Sequence, residues 1–284
     1  MTTPRSPRAP SSGGFLLALL ALSAAPLPAS ALTVCADPNN LPFSNRAQQG
    51  LENRLASLLA RELRSELRYE WWAQRRGFAR HTLGQSKCDI WPGVVSGIQS
   101  MLTTHPYYRS TYVFLSLPVK RLDGLTLDDP RLRTLVIGVQ MIGDDAMNTP
   151  PAHALARRGL TQNVRGYMLY GDYHRPNPAA SIVDAVERRE VDVALVWGPL
   201  AGYFSTRAPQ PLHLEPVIPE SDQGWPMVFD ISVGIRRDEP GLLEQINAAL
   251  LAQRPAIQKL LQEFGVPQAA ALTAQRGAPY SRLP

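Results

Sequence analysis

The spacing of apolar residues predicts a chain in which strands alternate with helices. Leucines stand at positions 51, 55, 58, 59 and 63, which is the stripe of an amphipathic helix over residues 51–63. Residues 67–72 alternate between apolar and polar side chains, as a half-buried strand does. The other predicted strands are residues 32–34, 89–95, 107–117, 135–140, 167–170, 191–197 and 227–236, and the other helices are residues 75–83, 152–158, 180–189, 241–253 and 256–264. Such alternation favours an α/β fold with mainly parallel sheets that helices cover on both faces.

Two Pro-Gly pairs punctuate this pattern. Pro92-Gly93 predicts a turn at the exit of strand 89–95, and Gly198-Pro199 predicts a turn after strand 191–197.

The order of the elements predicts two lobes. The extended segments 113–117 and 227–236 bracket a complete strand–helix–strand block. Residues 118–226 are therefore expected to form a second lobe inserted into the first, which is built from residues 32–117 and 227–267. Two chain crossings between lobes make a hinge, and the cleft between the lobes is the expected ligand site. Residues 268–284 have no periodic pattern and are expected to be a disordered tail.

The N-terminus predicts a cleavable signal peptide over residues 1–31. Arg5 and Arg8 precede the apolar run 15–25, which is too short to span a bilayer, and Ala29-Ser30-Ala31 is a small-x-small cleavage site. The mature chain then begins at Leu32 without a membrane anchor and, in a Gram-negative bacterium, is periplasmic. The alternative is a lipoprotein anchored through Cys35, although Val34 stands where that signal needs a small residue.

Net charge and cysteine content argue against nucleic-acid binding and a metal site, and they favour a disulfide. Removal of Arg5 and Arg8 lowers the formal net charge from +5 to +3, which is too mild to indicate nucleic-acid binding. Cys35 and Cys88 flank predicted neighbouring strands in an oxidising compartment, which favours a disulfide over two free thiols. No CxxC or HExxH spacing is present, so no metal site is predicted.

The loop after the first predicted strand is the strongest candidate for ligand contact, because ligands of open α/β sheets bind outside the carboxyl ends of strands. It reads CADPNNLPF over residues 35–43. With the ends of other strands it gives the predicted cleft: Asp37, Asn39, Asn40, Phe43, Arg76, Trp91, Gly93, His105, Tyr107, Gln140, Asp144, Asp145, Trp197 and Tyr203.

A purely structural role is an alternative for several of these residues. About half of the aromatic residues are expected in the core, since large aromatic side chains are mostly buried. Asp144 and Asp145 could hold a cation, but a helix-capping cluster over residues 145–150 is the stronger interpretation. Arg76 could meet an anion at a helix N-terminus or lie on a solvated face.

Catalysis finds little support in the sequence. There is no GxSxG nucleophile elbow, phosphate-binding loop or dinucleotide-binding GxGxxG, and the five histidines are scattered. We therefore expect a binding protein without a cofactor of its own rather than an enzyme.

Seven segments carry a specific resemblance: CADPNNLPFSN, WWAQRRGF, LTTHPYYRSTYVF, IGVQMIGDD, NTPPAHALARRG, NVRGYMLYGDY and VDVALVWGPLAGY. The element order resembles type II periplasmic solute-binding proteins, and these segments are similar to the MxaJ/XoxJ family, the binding proteins associated with the quinoprotein dehydrogenases of methylotrophs. The resemblance spans residues 32–267. It implies a periplasmic accessory protein whose partner is a pyrroloquinoline-quinone (PQQ)-dependent methanol dehydrogenase, with an unidentified small molecule as a further candidate for the cleft.

The chain departs from the amino-acid-binding proteins of this fold. Those proteins have an arginine before an aromatic Pro-Tyr segment for the substrate carboxylate, and an acidic residue after the strand of the second lobe for the ammonium group. Here the stretch before the Pro-Tyr segment, Leu102-Thr103-Thr104-His105, contains no arginine, and the strand of the second lobe ends in Trp197, unless the two anchors are offset by a few residues. The alternatives are a receptor for another small solute, or an enzyme such as a dehydratase on the same fold.

Overall fold

The computed structural model describes residues 1–2, 30–142, 148–168 and 173–269. Most of the predicted signal peptide, most of the predicted tail, and both Asp144 and Asp145 lie outside the described residues.

The strands are, in chain order, β1 (Ala31–Ala36), β2 (Asn39–Asn40), β3 (Ser44–Asn45), β4 (Glu66–Trp71), β5 (Ile90–Val95), β6 (Leu102–Thr103), β7 (Tyr108–Ser116), β8 (Ile137–Met141), β9 (Val164–Met168), β10 (Val193–Trp197), β11 (His213–Pro216), β12 (Ser221–Asp222), β13 (Trp225–Pro226) and β14 (Val228–Ile235). The α-helices are α1 (Leu51–Glu62), α2 (Phe78–His81), α3 (Pro150–Arg157), α4 (Ser181–Glu187), α5 (Gly198–Ser205), α6 (Pro240–Ala252) and α7 (Arg254–Glu263).

One curled sheet runs through the molecule in the order β4-β1-β5-β14-β7-β10-β8-β9. Strand β1 is parallel to β4 and β5, and β8 is parallel to β9 and β10. The two parallel halves are joined by antiparallel strands, because β14 pairs with β5 and β7, and β7 pairs in turn with β10. Residues 108–111 of β7 pair with β14, and residues 112–116 pair with β10. The predicted α/β fold with two lobes and connecting strands is confirmed.

Separate hydrophobic cores hold the two halves of the sheet. In the first lobe, the leucine stripe of α1 packs on the sheet with α6 and α7, and Leu55 and Leu59 are fully buried there. In the second lobe, Ile137 and Leu195 lie in one core and Ile182 in another. Full burial of each such side chain contributes about 1.5–3 kcal/mol.

The predicted disulfide is confirmed. Cys35 in β1 bonds to Cys88, which lies just before the parallel neighbour β5, and their Cα atoms are 5.4 Å apart. The sulfur of Cys35 is thus bonded, and the residue is fully buried.

The sequence predicted that Pro92-Gly93 forms a turn at the end of its strand, and this prediction is wrong. Strand β5 continues to Val95, and the pair forms an irregularity where the register with β14 shifts between Ser232 and Val233. Gly93 has a φ of 83°, a backbone conformation that favours glycine. The two residues are therefore a bulge inside the sheet rather than a turn at its edge.

Gly198-Pro199 begins a helix instead of a turn. Helix α5 starts at Gly198, with the proline in its first turn, where the missing N–H costs no hydrogen bond. The predicted helix 75–83 is likewise shortened to α2 and a 3-10 turn over Leu83–Gln85.

Candidate functional site

A cavity of about 240 Å³ lies where the two lobes meet. It is bounded by the bulge of β5, the central strands β7 and β14, and the ends of β8 and β10. Its lining residues are Asn40, Phe43, Glu52, Gln74, Gly93, Val95, Tyr108, Tyr112, Gln140, Trp197, Leu200, Phe229 and Ile231. Both lobes contribute, as the hinge arrangement requires of a ligand cleft.

Three aromatic side chains form one wall of this cavity. The ring centroids of Tyr112 and Trp197 are 5.3 Å apart, and that of Phe229 lies 6.5 Å from Tyr112 and 5.8 Å from Trp197, all in edge-to-face geometry. Strand pairing brings them together, since Trp197 at the end of β10 is opposite Tyr112 in β7. The backbone N–H of Trp197 donates to Oε1 of Gln140 at 2.8 Å, which fixes the end of the strand.

Glu52 contributes a buried carboxylic acid to the same cavity. It lies in the first turn of α1, is 8 % exposed, and its backbone N–H donates to the carbonyl of Phe43 at 2.8 Å. In the described part of the chain, no hydrogen bond or ion pair reaches its carboxyl group. Burial, and secondarily the nearby Asp37, raise the pKa of Glu52 to about 8.

The carboxylate of Asp37, by contrast, accepts hydrogen bonds from other residues of the protein. Its Oδ1 accepts from the N–H of Asn39 at 2.8 Å, and its Oδ2 accepts from the N–H of Gln74 at 2.6 Å and from the hydroxyl of Tyr173. The amide of Asn39 donates to the carbonyl of Arg175 at 2.8 Å. The predicted ligand loop therefore contacts the second lobe directly.

The structure brings five of the predicted cleft residues into the cavity lining: Asn40, Phe43, Gly93, Gln140 and Trp197. Tyr107 and Tyr203 are buried in the core of the first lobe. Trp91 packs on Phe78 in the cluster that contains the disulfide, with ring centroids 4.8 Å apart.

Two further predicted residues lie on the surface rather than in the cavity. His105 is exposed, and its N–H donates to Oδ1 of Asn247 in α6 at 2.8 Å. Arg76 is exposed in the loop before α2.

Sequence reasoning missed Glu52, Tyr112 and Phe229. One signal for Glu52 was present, because position 52 lies on the same helix face as Leu55 and Leu59, where a carboxylate is unusual. Tyr112 and Phe229 have no such local signal, since their placement depends on strand pairing.

A basic anchor like the arginine of amino-acid binders is absent from the described lining. Thr104 is buried, and its Oγ1 donates to the carbonyl of His105 and accepts from the N–H of Val233, so it is engaged by its neighbours. No lysine or arginine is among the residues that line the cavity in the described ranges.

Two other features lie apart from this cavity. A depression of about 460 Å³ between α1 and α7 carries exposed charged side chains such as Arg61 and Lys259.

Asp123, His213 and Glu215 bring potential metal-ligand atoms within 4.8 Å of one another. Nε2 of His213 also lies 3.6 Å from the carboxylate of Asp123 and 3.1 Å from that of Glu215, so the three side chains pair with each other. Within the described ranges, no helix has the length and apolarity needed to cross a bilayer.

Comparison with known proteins gives close relatives. The chain is 30 % identical over 256 residues to Protein MoxJ of Methylorubrum extorquens. The aligned region covers 87 % of this chain and 84 % of the relative. No family model matches the chain.

Solved structures agree with that relationship. Periplasmic binding protein XoxJ from Methylobacterium extorquens AM1 matches with a TM-score of 0.69 and 33 % identity, over 84 % of this chain and 99 % of XoxJ. MxaJ from Methlophaga aminisulfidivorans MPT matches with a TM-score of 0.70 and 26 % identity, over 84 % of this chain and all of MxaJ. An ancestral amino-acid-binding protein, described as a precursor of cyclohexadienyl dehydratase, shares the fold at 17 % identity and a TM-score of 0.59.

Proposed function

Because the chain belongs to the MxaJ/XoxJ family of type II periplasmic binding proteins, we propose that it is a periplasmic accessory protein of a PQQ-dependent methanol or alcohol dehydrogenase. It aids maturation or activation of that enzyme by protein–protein contact. The observation that carries the proposal is similarity over nearly the whole length of relatives with these names. Export through the N-terminal signal peptide brings it to the compartment of its partner.

The site chemistry supports a binding role over catalysis. The cavity combines one carboxylic acid, amide side chains and an aromatic wall, which is a set of groups for holding a molecule. We also propose the division into a first lobe of residues 32–117 and 227–267 and a second lobe of residues 118–226, with β7 and β14 as the connecting strands.

Co-purification tests the partnership. Tagged protein is recovered from methanol-grown cells of the source organism, and the purified dehydrogenase is then titrated in its metal-free, PQQ-free and complete states. We expect association with a dissociation constant of about 1 μM or tighter in at least one state, as for a standard-sized interface. Absence of association in every state, together with unchanged methanol oxidation in a deletion strain, would contradict the accessory role.

Two tryptophan variants separate surface contact from cavity contact. Trp72 is 40 % exposed on the first lobe, whereas Trp197 lines the cavity. If the dehydrogenase docks on the surface of the first lobe, Trp72→Ala weakens association and Trp197→Ala does not. The reverse result assigns the contact to the cleft, where a segment of the partner then enters the cavity.

The second candidate function is a receptor for a small solute other than a common amino acid. The cavity favours it, since it reaches both lobes and has room for a small ligand. Retention of a small molecule through purification, detected by mass spectrometry after denaturation, distinguishes this role from docking alone.

A further inference from the structure

We propose that the cavity between the lobes binds a small organic cation, an amine or a quaternary ammonium compound, with Glu52 as its counter-charge and the aromatic wall of Tyr112, Trp197 and Phe229 as its apolar contact. The site stands independently of the dehydrogenase, because it is built from residues of this chain alone.

The charge balance of the cavity favours a cation. Glu52 is the carboxylic acid of the described lining, and no lysine or arginine lines the cavity with it. A buried carboxylate without a hydrogen-bond donor is costly, and a cationic ligand supplies the partner that the described residues do not. An anion, or the carboxylate of a zwitterion, would find no cationic side chain in the described lining.

The two glutamine side chains in the lining are weaker candidates for this role than Glu52. Oε1 of Gln140 already accepts the N–H of Trp197, and Oε1 of Gln74 already accepts the amide of Asn40 at 2.9 Å. Each of these two oxygens therefore has one of its two lone pairs in use, whereas neither carboxyl oxygen of Glu52 accepts a hydrogen bond from the described residues.

The aromatic wall supplies the second half of a cation site. Three rings with centroids within 6.5 Å of one another line the cavity that also holds the carboxyl group. An organic cation over such rings gains about 0.5–2 kcal/mol from cation–π attraction, and its alkyl groups gain from contact with apolar surface. The volume of about 240 Å³ limits the ligand to a small molecule.

Binding of this cation is coupled to loss of a proton. The titratable groups that face Glu52 are Asp37, Tyr69, Tyr107 and Tyr108, and burial raises the pKa of each of the three tyrosines, so they stay neutral over the physiological range. Because the pKa of Glu52 is about 8, the empty site is mostly protonated at neutral pH. A permanently charged ligand must displace that proton, so its affinity should rise with pH and level off above about pH 8.

Choline is the test ligand, and its control is the neutral isostere in which a tert-butyl group replaces the trimethylammonium group. Titration calorimetry on the mature protein should show choline binding that is about a hundredfold tighter at pH 9 than at pH 6, as displacement of a proton with a pKa of about 8 requires, and at pH 9 at least about tenfold tighter than that of the neutral isostere. Equal binding of the two compounds overturns the proposal, as does absence of binding by choline, tetramethylammonium and butylammonium at millimolar concentration.

Glu52→Gln keeps the shape of the neutral acid and removes the charge. It should weaken choline binding at pH 9 at least about tenfold and abolish the pH dependence, and the exposed Glu244→Gln serves as the matched control that leaves both unchanged. Unaltered choline affinity in Glu52→Gln overturns the assignment of the counter-charge. Trp197→Ala should weaken choline binding at both pH values without removing its pH dependence, which separates the aromatic wall from the carboxyl group.

Discussion

Glu52 packs its carboxyl group directly against the backbone of Gly93. A Cβ atom placed on Gly93 would lie 2.0 Å from Oε1 of Glu52, which is closer than any real contact. Any side chain at residue 93 would therefore require the carboxyl end of Glu52 to move. The position of the Glu52 carboxyl group in the cavity thus depends on the bulge at Gly93 in β5.

Gly93→Ala should destabilise the protein more than the same change at Gly97. Both glycines have positive φ, 83° and 77°, so alanine is strained at each, but nothing lies within 4 Å of a Cβ on Gly97. We expect a loss of about 1–2 kcal/mol in Gly97→Ala, and at least about 1 kcal/mol more in Gly93→Ala, because Glu52 must move. Urea unfolding measures both. Equal losses would show that the contact with Glu52 is not tight.

Glu52→Gln should stabilise the protein at alkaline pH. The pKa of Glu52 is raised from 4.5 to about 8 in the folded state, so the folded protein binds an extra proton between those values. Stability from this group is present below about pH 4.5 and is lost as pH rises to about 8, by roughly 3–5 kcal/mol. The glutamine variant lacks this loss.

Unfolding free energies at pH 5 and pH 9 check this prediction. The difference between Glu52→Gln and wild type should grow with pH, whereas Glu244→Gln should follow wild type throughout, since residue 244 is exposed. A difference that is independent of pH would mean that Glu52 titrates near its ordinary value.

Asp222→Asn should be far more damaging than Asp128→Asn, although both carboxylates pair with Arg158. Asp222 is 5 % exposed and accepts two hydrogen bonds from Arg158, at 2.9 and 3.0 Å, and one from Arg157. Asp128 meets Arg158 at 2.8 Å with a side chain that is 76 % exposed. We expect a loss of about 2–4 kcal/mol for Asp222→Asn and under about 1 kcal/mol for Asp128→Asn, measured by denaturant unfolding.

The stability that Asp222 contributes through Arg158 depends on pH with the opposite sign to that of Glu52. Hydrogen bonds from Arg158 lower the pKa of Asp222, so its contribution is present above its ordinary pKa near 3.8 and is lost as pH falls below that value. The two variants should therefore converge in stability in strong acid. A gap that persists there would assign the effect to packing.

Local patterns were sufficient to predict much of the fold. The leucine stripe predicted α1 almost to the residue, and the cysteines next to two strands predicted the Cys35–Cys88 bond. These features depend on neighbours in sequence or on one pair of adjacent strands. The apolar runs of β10 and β14 were visible for the same reason.

The rest depends on contacts between distant segments. Pro92-Gly93 resembles a turn in sequence, and only pairing with β14 makes it a bulge. Glu52 became a site residue because the bulge approaches it, and Phe229 because β14 lies beside β7. Such placements follow from strand register, which a single sequence does not specify.

Tyr173→Phe should loosen the contact between the lobes. The hydroxyl of Tyr173 donates to Asp37 in the ligand loop of the first lobe, and the guanidinium of Arg75 lies 4.9 Å from the centroid of its ring. Burial and the bond to Asp37 raise the pKa of the hydroxyl, so it remains a donor at all physiological pH values. Loss of a hydrogen bond to a charged acceptor costs about 1.5–3 kcal/mol, which shifts a closed-to-open equilibrium at least about tenfold toward the open form.

Small-angle scattering and a distance label across the cleft measure this shift. The radius of gyration should increase in Tyr173→Phe, and choline at saturating concentration should reverse the increase if the ligand contacts both lobes. Tyr167→Phe is the matched control, because Tyr167 in β9 packs on the core of the second lobe. It should leave the distance distribution unchanged. An identical distribution in wild type and Tyr173→Phe would show that closure depends on other contacts, such as the bond from Asn39 to Arg175.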